Sequence, residues 1–471
     1  MRVTDSNKST QNLGKGLKVR HLTMMGLGST IGAGLFLGTG VGISAAGPAV
    51  LLAYCIAGLL AILVMQMLGE MGTVIPASGS FSEYAEHGIG RWAGFTQGWI
   101  YWLATVAVLG AEITGAAGFI GSWFGVSPWI PAAICVAFFG VVNLLRVRLF
   151  GEFEYWFAAI KVLVIVAFLI VGFLLIFGLL PGHEAIGTRV FLDDGFMPNG
   201  LGGVASGLLA VAFAFGGIEV VAIAAAESED PEKSLVNAVR TTILRISVFY
   251  LGSVLVITFL LPYSSLGNAD TAAQSPFTQV LEHAGIKGAA GFMEVIIVLA
   301  LLSAFNAQIY ASSRMMHSLA SRHEAPKIFT KTNAQGVPTY AIALSVILSV
   351  IMVVLNYADT GWLLSFMLNA AGASLLIVWV FIAVSQLRLR RQLEAIHPLP
   401  IRMWAFPYLT WFALAVFAAI ALLMLTDASA RVQLLSAGAM FVVLAIAGVL
   451  NAKARGISPT STLPLPDVAK R

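Results

Sequence analysis

Charge is scarce in this sequence. Only 11% of its 471 residues are charged, whereas a soluble globular domain carries about 25%. Hydrophobic residues make up 58% of the chain, and the mean hydropathy is +0.89. This balance excludes an ordinary soluble protein and predicts a membrane protein that crosses the bilayer many times.

Cysteine is scarce as well. Cys55 and Cys135 lie inside apolar runs without the spacing of metal ligands, so they are interpreted as small buried apolar residues and no metal site is predicted. A glycine-rich loop of the P-loop type is missing, which argues against pumping driven by ATP. The longest connections are too short to bury a core of their own, so any function is expected within the membrane. These connections are roughly 73–91, 181–199, 263–287 and 317–337.

Long apolar runs, in contrast, are abundant. A helix needs roughly 20 apolar residues to cross a bilayer, and the chain contains twelve such runs. They span residues 22–44, 48–72, 92–120, 128–146, 155–180, 200–226, 241–262, 288–316, 338–356, 361–385, 404–426 and 430–450. A basic segment precedes the first run without a small-residue cleavage site, so this run is predicted to be a retained helix rather than a signal peptide.

Lysine and arginine are distributed asymmetrically over the connections between the runs. If the N-terminus is cytoplasmic, about 23 of the 27 Lys and Arg lie on the cytoplasmic side, as the positive-inside rule requires. Arg189, Lys287 and Arg431 lie outside, and Lys161 lies within the bilayer. Both termini are therefore predicted to be cytoplasmic, in a cell (inner) membrane. The basic excess suits anionic headgroups, and no nucleic-acid partner is predicted.

The first and the sixth run are interrupted by short glycine-rich segments. Residues 28–36 contain three glycines, and residues 213–219 contain two. Inside a bilayer, unwound backbone is tolerated only where it lines a cavity or is buried in protein. The two interruptions therefore predict a substrate site near the midplane and favour a secondary transporter. Close packing of helices through small residues is the alternative interpretation.

The chemistry of the two interruptions suits a zwitterion. Free N–H groups in the first interruption, together with the positive end of the half-helix that follows, suit a carboxylate. Carbonyl groups freed in the sixth run, at Phe213 and Ala214, suit an ammonium group. Together the two interruptions therefore predict a cradle for a zwitterion.

Motifs that occur in order along the chain resemble the amino acid transporter family of bacteria, within the amino acid–polyamine–organocation superfamily. They lie at 20–25, 28–36, 46–48, 68–70, 76–80, 151–157, 160–161, 213–219 and 226–231. The resemblance implies an all-α membrane protein of twelve transmembrane helices, with a LeuT-like inverted repeat of five plus five helices in which helices one and six are broken. It implies a first repeat at 21–180, a second at 200–385 and two peripheral helices at 404–450. The segments 1–20 and 452–471 are then cytoplasmic.

The same resemblance implies which residues bind the substrate. Three residues of the first interruption would hold the carboxylate, and three carbonyl groups of the sixth run would hold the amino group. In that order they are Thr30, Ala33 and Gly34, then Phe213, Ala214 and Gly216. An aromatic ring, that of Phe213 or Phe215, would close over the substrate as a lid and exclude water.

Ionisable residues inside apolar runs are costly and indicate function. Lys161 lies about seven residues into the fifth run, roughly 10 Å beyond its cytoplasmic start. In sodium-coupled relatives of this fold, Na⁺ bridges helices one, five and eight, and the resemblance puts the Lys161 ammonium in that region. We therefore expect proton coupling without a metal ion. A lysine that extends back to the headgroups is the alternative.

Two carboxylates, Glu112 and Glu219, also lie deep in apolar runs. Glu219 is interpreted either as a proton carrier or as a hydrogen-bond anchor for helices one and six. Tyr101 and Glu112 are eleven residues apart and share one face of helix three. We expect this face to line the cavity, with Tyr101 near the substrate. Glu112 would lie deeper on the same face or have a structural role.

Further polar residues follow the sixth run and line helix eight. Ser303, Asn306 and Tyr310 are separated by three and four residues, so they share a face that we expect toward the pathway. Asn369 is interpreted either as a border of the pocket or as a packing residue. The acidic run 227–232 is predicted to be a solvated cytoplasmic loop, with gating as the lesser alternative.

Aromatic side chains dominate the expected pocket, and no further acidic group is aimed at a cationic side chain. This favours import of a neutral, aromatic or large apolar amino acid together with protons. Residues 213–219 resemble aromatic amino acid permeases, whereas 383–404 also resemble γ-aminobutyrate permeases, so γ-aminobutyrate or another amino acid is the alternative substrate. A membrane amino acid sensor or a channel would be a different class. Neither enzymatic activity, nor a cofactor, nor a required protein partner is predicted.

Overall fold

The structure, a computed structural model, describes residues 13–14, 16–28, 31–36, 38–182, 184–267, 274–358 and 362–465. At positions 33, 212–213, 356–358 and 362–372 it describes the backbone without the side chain. Throughout these residues the backbone forms helices, turns and loops, apart from one isolated β-bridge between Leu17 and Ser228. The predicted all-α architecture is confirmed.

Each of the twelve apolar runs corresponds to a helix or to a broken helix in the described residues, numbered here in chain order. Helices one to five are Val19–Gly28 with Ala33–Phe36 and Thr39–Ala46, Val50–Val74, Arg91–Phe124, Trp129–Leu144 and Val147–Ile176. Helices six and seven are Gly200–Ala212 with Phe213–Phe215 and Glu219–Ala224, and Pro231–Leu244 with Arg245–Tyr250 and Leu251–Leu260. Helices eight to twelve are Ala289–Ser321, Thr339–Ala358, Trp362–Ile396, Tyr408–Met424 and Ala428–Ala454.

Length and composition suit these helices to a bilayer. Within the described residues, seven helical segments are long and apolar enough to cross a membrane, and one of them, Gly34–Val74, combines part of helix one with helix two. Four further apolar helices, within helices four, six, nine and eleven, have 10–17 residues in the described part. Shorter helices in the connections, such as Phe81–Gly88 and Pro276–His283, lie between these segments.

The outer surface of the bundle is strongly apolar. Leu163, Trp156 and Trp411 are each more than 60% exposed, and a soluble monomer rarely shows so large an apolar surface. Cys55 is also exposed there, so the prediction that it is buried is wrong, because its face of helix two points outward. Helix twelve buries only small residues, such as Ala437 and Gly448, which makes it peripheral.

Local sequence accounts for where several helices begin. Pro231 occupies the first turn of helix seven, where its missing N–H is not needed, and the Asp230 carboxylate accepts a hydrogen bond from the Lys233 N–H at 3.1 Å. Asp427 caps helix twelve in the same way, accepting the Ala430 N–H at 2.7 Å. Both carboxylates satisfy N–H groups that a helix start leaves free.

The two glycine-rich interruptions appear as breaks in helices one and six. Helix one stops at Gly28 and resumes at Ala33, and helix six passes through the turn 216–218 before Glu219. Gly217 has a φ of +97°, a conformation that side chains strongly disfavour. The breaks lie side by side, since a Cβ atom on Gly34 would be 3.6 Å from the Cα atom of Ala214.

Both ends of the described chain lie on one face of the bundle, here called the terminal face. Leu17 donates its N–H to the Glu227 carbonyl at 3.2 Å, just beyond helix six. Pro459, after helix twelve, accepts a hydrogen bond from the Trp92 N–H at the start of helix three, at 3.2 Å. An even number of crossings between these two ends explains why they share a face.

Glu70 joins helix two to helix ten near the terminal face. Its buried carboxylate pairs with Arg390 and accepts hydrogen bonds from Gln386 Nε2 and the Met403 N–H, each at 2.7 Å. A buried carboxylate that loses its charged partner is strongly destabilising. This network therefore holds helix two against helix ten.

Replacing the partner tests this network. In Arg390→Ala the Glu70 carboxylate stays buried without its cation, so we expect the free energy of unfolding to fall by about 3–5 kcal/mol. Thermal unfolding of the purified protein in detergent measures the change. Arg391→Ala is the matched control, because Arg391 is exposed on the same helix. Equal unfolding temperatures for the two variants would show that the pair does not stabilise the fold.

Candidate functional site

Part of the backbone at the two breaks is exposed. Gly34 is exposed although it lies in the middle of the first helix, and no described atom lies within 4 Å of a Cβ atom built on Gly32. The Ala214 carbonyl accepts a hydrogen bond from the Tyr250 hydroxyl at 3.1 Å. A carbonyl has two lone pairs and can accept from more than one donor.

Several predicted binding residues are only partly described. Thr30 lies outside the described residues, and the structure describes the backbone but not the side chain of Ala33, Phe213 and Asn369. The ring of Phe215 is fully buried, stacked on Tyr250 with centroids 4.8 Å apart. The Phe215 ring also packs edge-on against Tyr54 of helix two, with centroids 6.0 Å apart, which completes an aromatic trio.

Lys161 is the central residue of a buried cluster at the helix-one break. Its side chain is fully buried, and Nζ donates hydrogen bonds to the Gly28 carbonyl at 2.7 Å and to Ser303 Oγ at 2.9 Å. It therefore joins helices one, five and eight and does not extend to the headgroups. Gly28 permits this contact, because a Cβ atom there would lie 2.4 Å from Ala158 Cβ of helix five.

Glu154 completes this arrangement, here called the lysine cluster: Gly28, Glu154, Lys161 and Ser303. Ser303 Oγ donates to Glu154 Oε1 at 2.8 Å, and the Glu154 side chain is fully buried. Lys161 interacts electrostatically with both Glu154 and Glu112. Two acidic side chains thus act electrostatically on one buried lysine inside the bundle.

Glu154 is not among the site residues predicted from the sequence. The residue sits in the motif 151–157, before the fifth apolar run as counted from the sequence, so it looked like part of a connection. Helix five begins eight residues earlier than that run, at Val147. Its spacing of seven residues from Lys161, two helical turns on one face, is the signal that identifies it.

Asn306 lies one turn beyond Ser303 on helix eight. Its Oδ1 atom accepts a hydrogen bond from Asn143 Nδ2 of helix four at 2.9 Å, and the side chain is fully buried. Asn306 therefore links helices four and eight beside the lysine cluster.

Glu219 anchors the break in helix six. Its carboxylate is fully buried, accepts the Gly217 N–H at 2.9 Å and accepts a hydrogen bond from Trp379 Nε1 of helix ten. Tyr101 of helix three interacts electrostatically with Glu219. The Tyr101 ring also packs edge-on against Phe81 of the connecting helix Phe81–Gly88, with centroids 4.8 Å apart.

Arg245 is a second buried cation at the breaks. It is fully buried at the start of the π-helical turn of helix seven, and Nη1 donates a hydrogen bond to the Gly26 carbonyl of helix one. It also interacts electrostatically with Glu219. Arg245 is not among the predicted site residues because it lies near the edge of the run 241–262, whereas helix seven already starts at Pro231.

The end of helix six near the terminal face is buried, not solvated. Glu227 is 1% exposed, and its carboxylate accepts hydrogen bonds from Arg314 Nε at 2.7 Å and the Tyr310 hydroxyl at 2.8 Å. The prediction of a solvated loop is therefore wrong at Glu227. The Tyr310 ring is stacked on Phe150 of helix five, with centroids 4.2 Å apart, so Tyr310 packs between helix five and the end of helix six. That it faces the pathway stays a prediction.

Comparison with known proteins decides the family. A family model for amino acid permeases matches residues 21–455. The chain belongs to the amino acid permease family. It is 60% identical over 453 residues to the aromatic amino acid transport protein AroP of Corynebacterium glutamicum, covering 95% of this chain and 98% of that protein.

Other relatives agree with this family. The chain is 45% identical to a γ-aminobutyric acid permease of Bacillus subtilis, over 92% of each chain. In three dimensions it resembles the crystal structure of a mutant manganese transporter of Eremococcus coleocola, with a TM-score of 0.55 and 15% identity, over 92% of this chain and 94% of that one. This likeness concerns the fold alone. The protein is thus a helical membrane transporter and not an enzyme.

Proposed function

We propose that this permease imports aromatic amino acids together with protons by alternating access. The observation that carries the proposal is the buried Lys161 ammonium, bound to the Gly28 carbonyl at the helix-one break and to Ser303 of helix eight. A cation at this place ties together the helices that have to separate when the site changes sides. When Lys161 gains or loses a proton, its bond to helix one changes in strength. The charge of the site is therefore linked to the position of helix one.

A proton gradient provides enough free energy for uptake. A potential of 100 mV is worth about 2.3 kcal/mol per charge, which allows roughly fiftyfold accumulation for each net charge carried inward. The site needs no metal ion for this, because Lys161 itself supplies the positive charge. Glu112 and Glu219 are the further coupling groups that we propose, Glu219 chiefly as the anchor of helix six.

The backbone at the two breaks would bind the amino acid. We assign the carboxylate to the segment of Thr30, Ala33 and Gly34, and the ammonium to the carbonyl groups of helix six. These carbonyls are Phe213, Ala214, which also accepts from Tyr250, and Gly216. The ring of Phe215 is packed in its aromatic trio, so we assign the lid to Phe213. Tyr101 and Asn306 are assigned to the surroundings of the site rather than to direct contact.

An aromatic substrate is favoured by the relatives. The protein that is 60% identical is named for aromatic amino acid transport, whereas those named for γ-aminobutyric acid are 41–45% identical. In γ-aminobutyrate the ammonium lies three methylenes from the carboxylate, so it requires a wider gap between the two breaks. γ-Aminobutyrate remains the second candidate because its permeases match nearly the whole chain.

We propose that the protein lies in the inner membrane of the cell, with the terminal face toward the cytoplasm. The excess of Lys and Arg in the connections on that side supports it. We further propose that residues 21–180 and 200–385 form the two inverted repeats, with 404–450 outside them. The segments 1–20 and 452–471 are then cytoplasmic.

Removal of the Lys161 charge tests proton coupling. We expect wild-type uptake in proteoliposomes to follow an imposed inward proton gradient, to collapse with a protonophore and to be indifferent to Na⁺. Lys161→Ala should abolish gradient-driven accumulation while part of the substrate binding remains. Lys327→Ala, an exposed lysine in a connection, is the control and should transport normally. Accumulation that requires Na⁺ and survives Lys161→Ala would refute the proposal.

A side chain at Gly34 tests the carboxylate site. A Cβ atom there makes ordinary contacts with Ala214, at 3.6 and 3.8 Å, so the protein should still fold. Because the added valine side chain fills the space where the ligand approaches, we expect Gly34→Val to lose binding of radiolabelled substrate. Gly118→Val, on an exposed helical position with no described atom near its Cβ, is the matched control. Equal competition by an amino acid and its decarboxylated amine would argue against this site.

Competition of uptake tests selectivity. Stacking and burial of an aromatic ring are worth about 2–4 kcal/mol over a short linear ligand. Tyrosine, phenylalanine or tryptophan should therefore compete at least roughly tenfold better than γ-aminobutyrate, and Phe213→Ala should narrow the difference. Better competition by γ-aminobutyrate, or by lysine and arginine, would assign the permease to another substrate and leave proton coupling untouched.

A further inference from the structure

We infer that Glu154 receives the proton of Lys161 through the Ser303 hydroxyl and passes it toward the terminal face. The inference rests on the proposed proton symport and names the exit of the proton, which the comparisons with known proteins do not assign. Its basis is the continuous chain of hydrogen bonds in the lysine cluster.

The geometry permits a direct relay. Lys161 Nζ lies 2.9 Å from Ser303 Oγ, and Ser303 Oγ lies 2.8 Å from Glu154 Oε1. A serine hydroxyl has one proton to donate and lone pairs to accept, so it can accept from the ammonium while it donates to the carboxylate. All three side chains are fully buried, which excludes bulk water from competing for these bonds.

The position of Glu154 gives the relay a direction. Helix five starts at Val147 on the terminal face, and Glu154 lies seven residues before Lys161, about 10 Å closer to that face. Its second carboxylate oxygen, Oε2, is also buried, and Asn306 of helix eight interacts with the carboxylate. We assign release of the proton to this second oxygen when the terminal face opens.

The transfer is balanced in atoms and charge. The Lys161 ammonium gives one proton to Ser303 Oγ, and the Ser303 hydroxyl proton moves to Glu154 Oε1. Lys161 becomes a neutral amine, Ser303 is unchanged, and Glu154 becomes a neutral carboxylic acid. The amine keeps a weaker hydrogen bond to the Gly28 carbonyl than the ammonium, because charge-assisted bonds are the stronger ones. Transfer therefore loosens helix one from helix five.

Other charged groups surround the relay. Glu112 of helix three and Arg245 of helix seven act electrostatically on Lys161. At the start of helix five, Glu152 pairs with Arg20 and with His21 Nε2. Because several groups can shape a pH profile, variants are best compared at one fixed pH.

A purely structural Glu154 would behave differently from a relay residue. As a fixed counter-charge it would only hold Lys161 in place, so its loss would impair binding, exchange and net uptake together. A relay residue is required for net uptake, in which the proton has to leave, but not for exchange, in which the loaded carrier returns without releasing its proton. The ratio of net uptake to exchange therefore separates the two roles.

The experiment uses the full chain in proteoliposomes at one pH. Uptake of radiolabelled substrate driven by a proton gradient is compared with exchange against unlabelled internal substrate, for Glu154→Gln and Ser303→Ala. We expect net uptake to fall by roughly ten- to a hundredfold, the usual scale for loss of a proton-transfer group, while exchange stays close to the wild-type rate. Ser303→Thr, which keeps the hydroxyl, should restore much of the net uptake.

Ser312→Ala is the matched control. Ser312 is a fully buried serine of the same helix, but it bonds to Ser345 of helix nine at 2.8 Å, outside the lysine cluster. It should transport normally. Two results would overturn the relay: wild-type net uptake in Ser303→Ala, or a loss of exchange that parallels the loss of net uptake. If Glu154→Gln does not fold, Ser303→Ala alone decides. A wild type that ignores the proton gradient refutes the proposed symport instead.

Discussion

A helix that is broken inside a bilayer leaves backbone groups that lipid cannot satisfy, and this constraint organises the centre of the permease. In the described residues, side chains of helices five, six and seven accept from or donate to such groups. The carbonyls of Gly26 and Gly28 accept from Arg245 and Lys161. On helix six, the Ala214 carbonyl accepts a hydrogen bond from Tyr250 of helix seven, and the Gly217 N–H donates one to Glu219 of the same helix.

Three of these partners carry charges, which gives the breaks a second property. Burying a charge is expensive unless it is paired, so Lys161, Arg245 and Glu219 are stable only while their partners stay in place. Any movement of a half-helix changes those partnerships. The charge state of the side chains and the positions of helices one and six therefore depend on one another. This is the physical link that ion-coupled transport requires.

Buried charged pairs also hold helices together near the terminal face. Glu227, Arg314 and Tyr310 join the end of helix six to helix eight, and the segment before helix one adds backbone bonds to Glu227. Farther out, Glu70 and Arg390 join helix two to helix ten. Paired in this way, the buried charges are costly to separate, so the bonds define which helices stay together near this face.

The sequence by itself determined the architecture, because helix length, hydropathy and glycine placement are local properties. The twelve runs, the two breaks and the buried Lys161 could all be read from neighbouring residues. Tertiary structure alone decided which polar side chains meet. Glu154 and Arg245 looked like residues at the edges of runs, and Glu227 was assigned to a solvated loop. Helices that are apolar on most sides show no periodic signal for their rotation, so the contacts between them are set only when the helices pack.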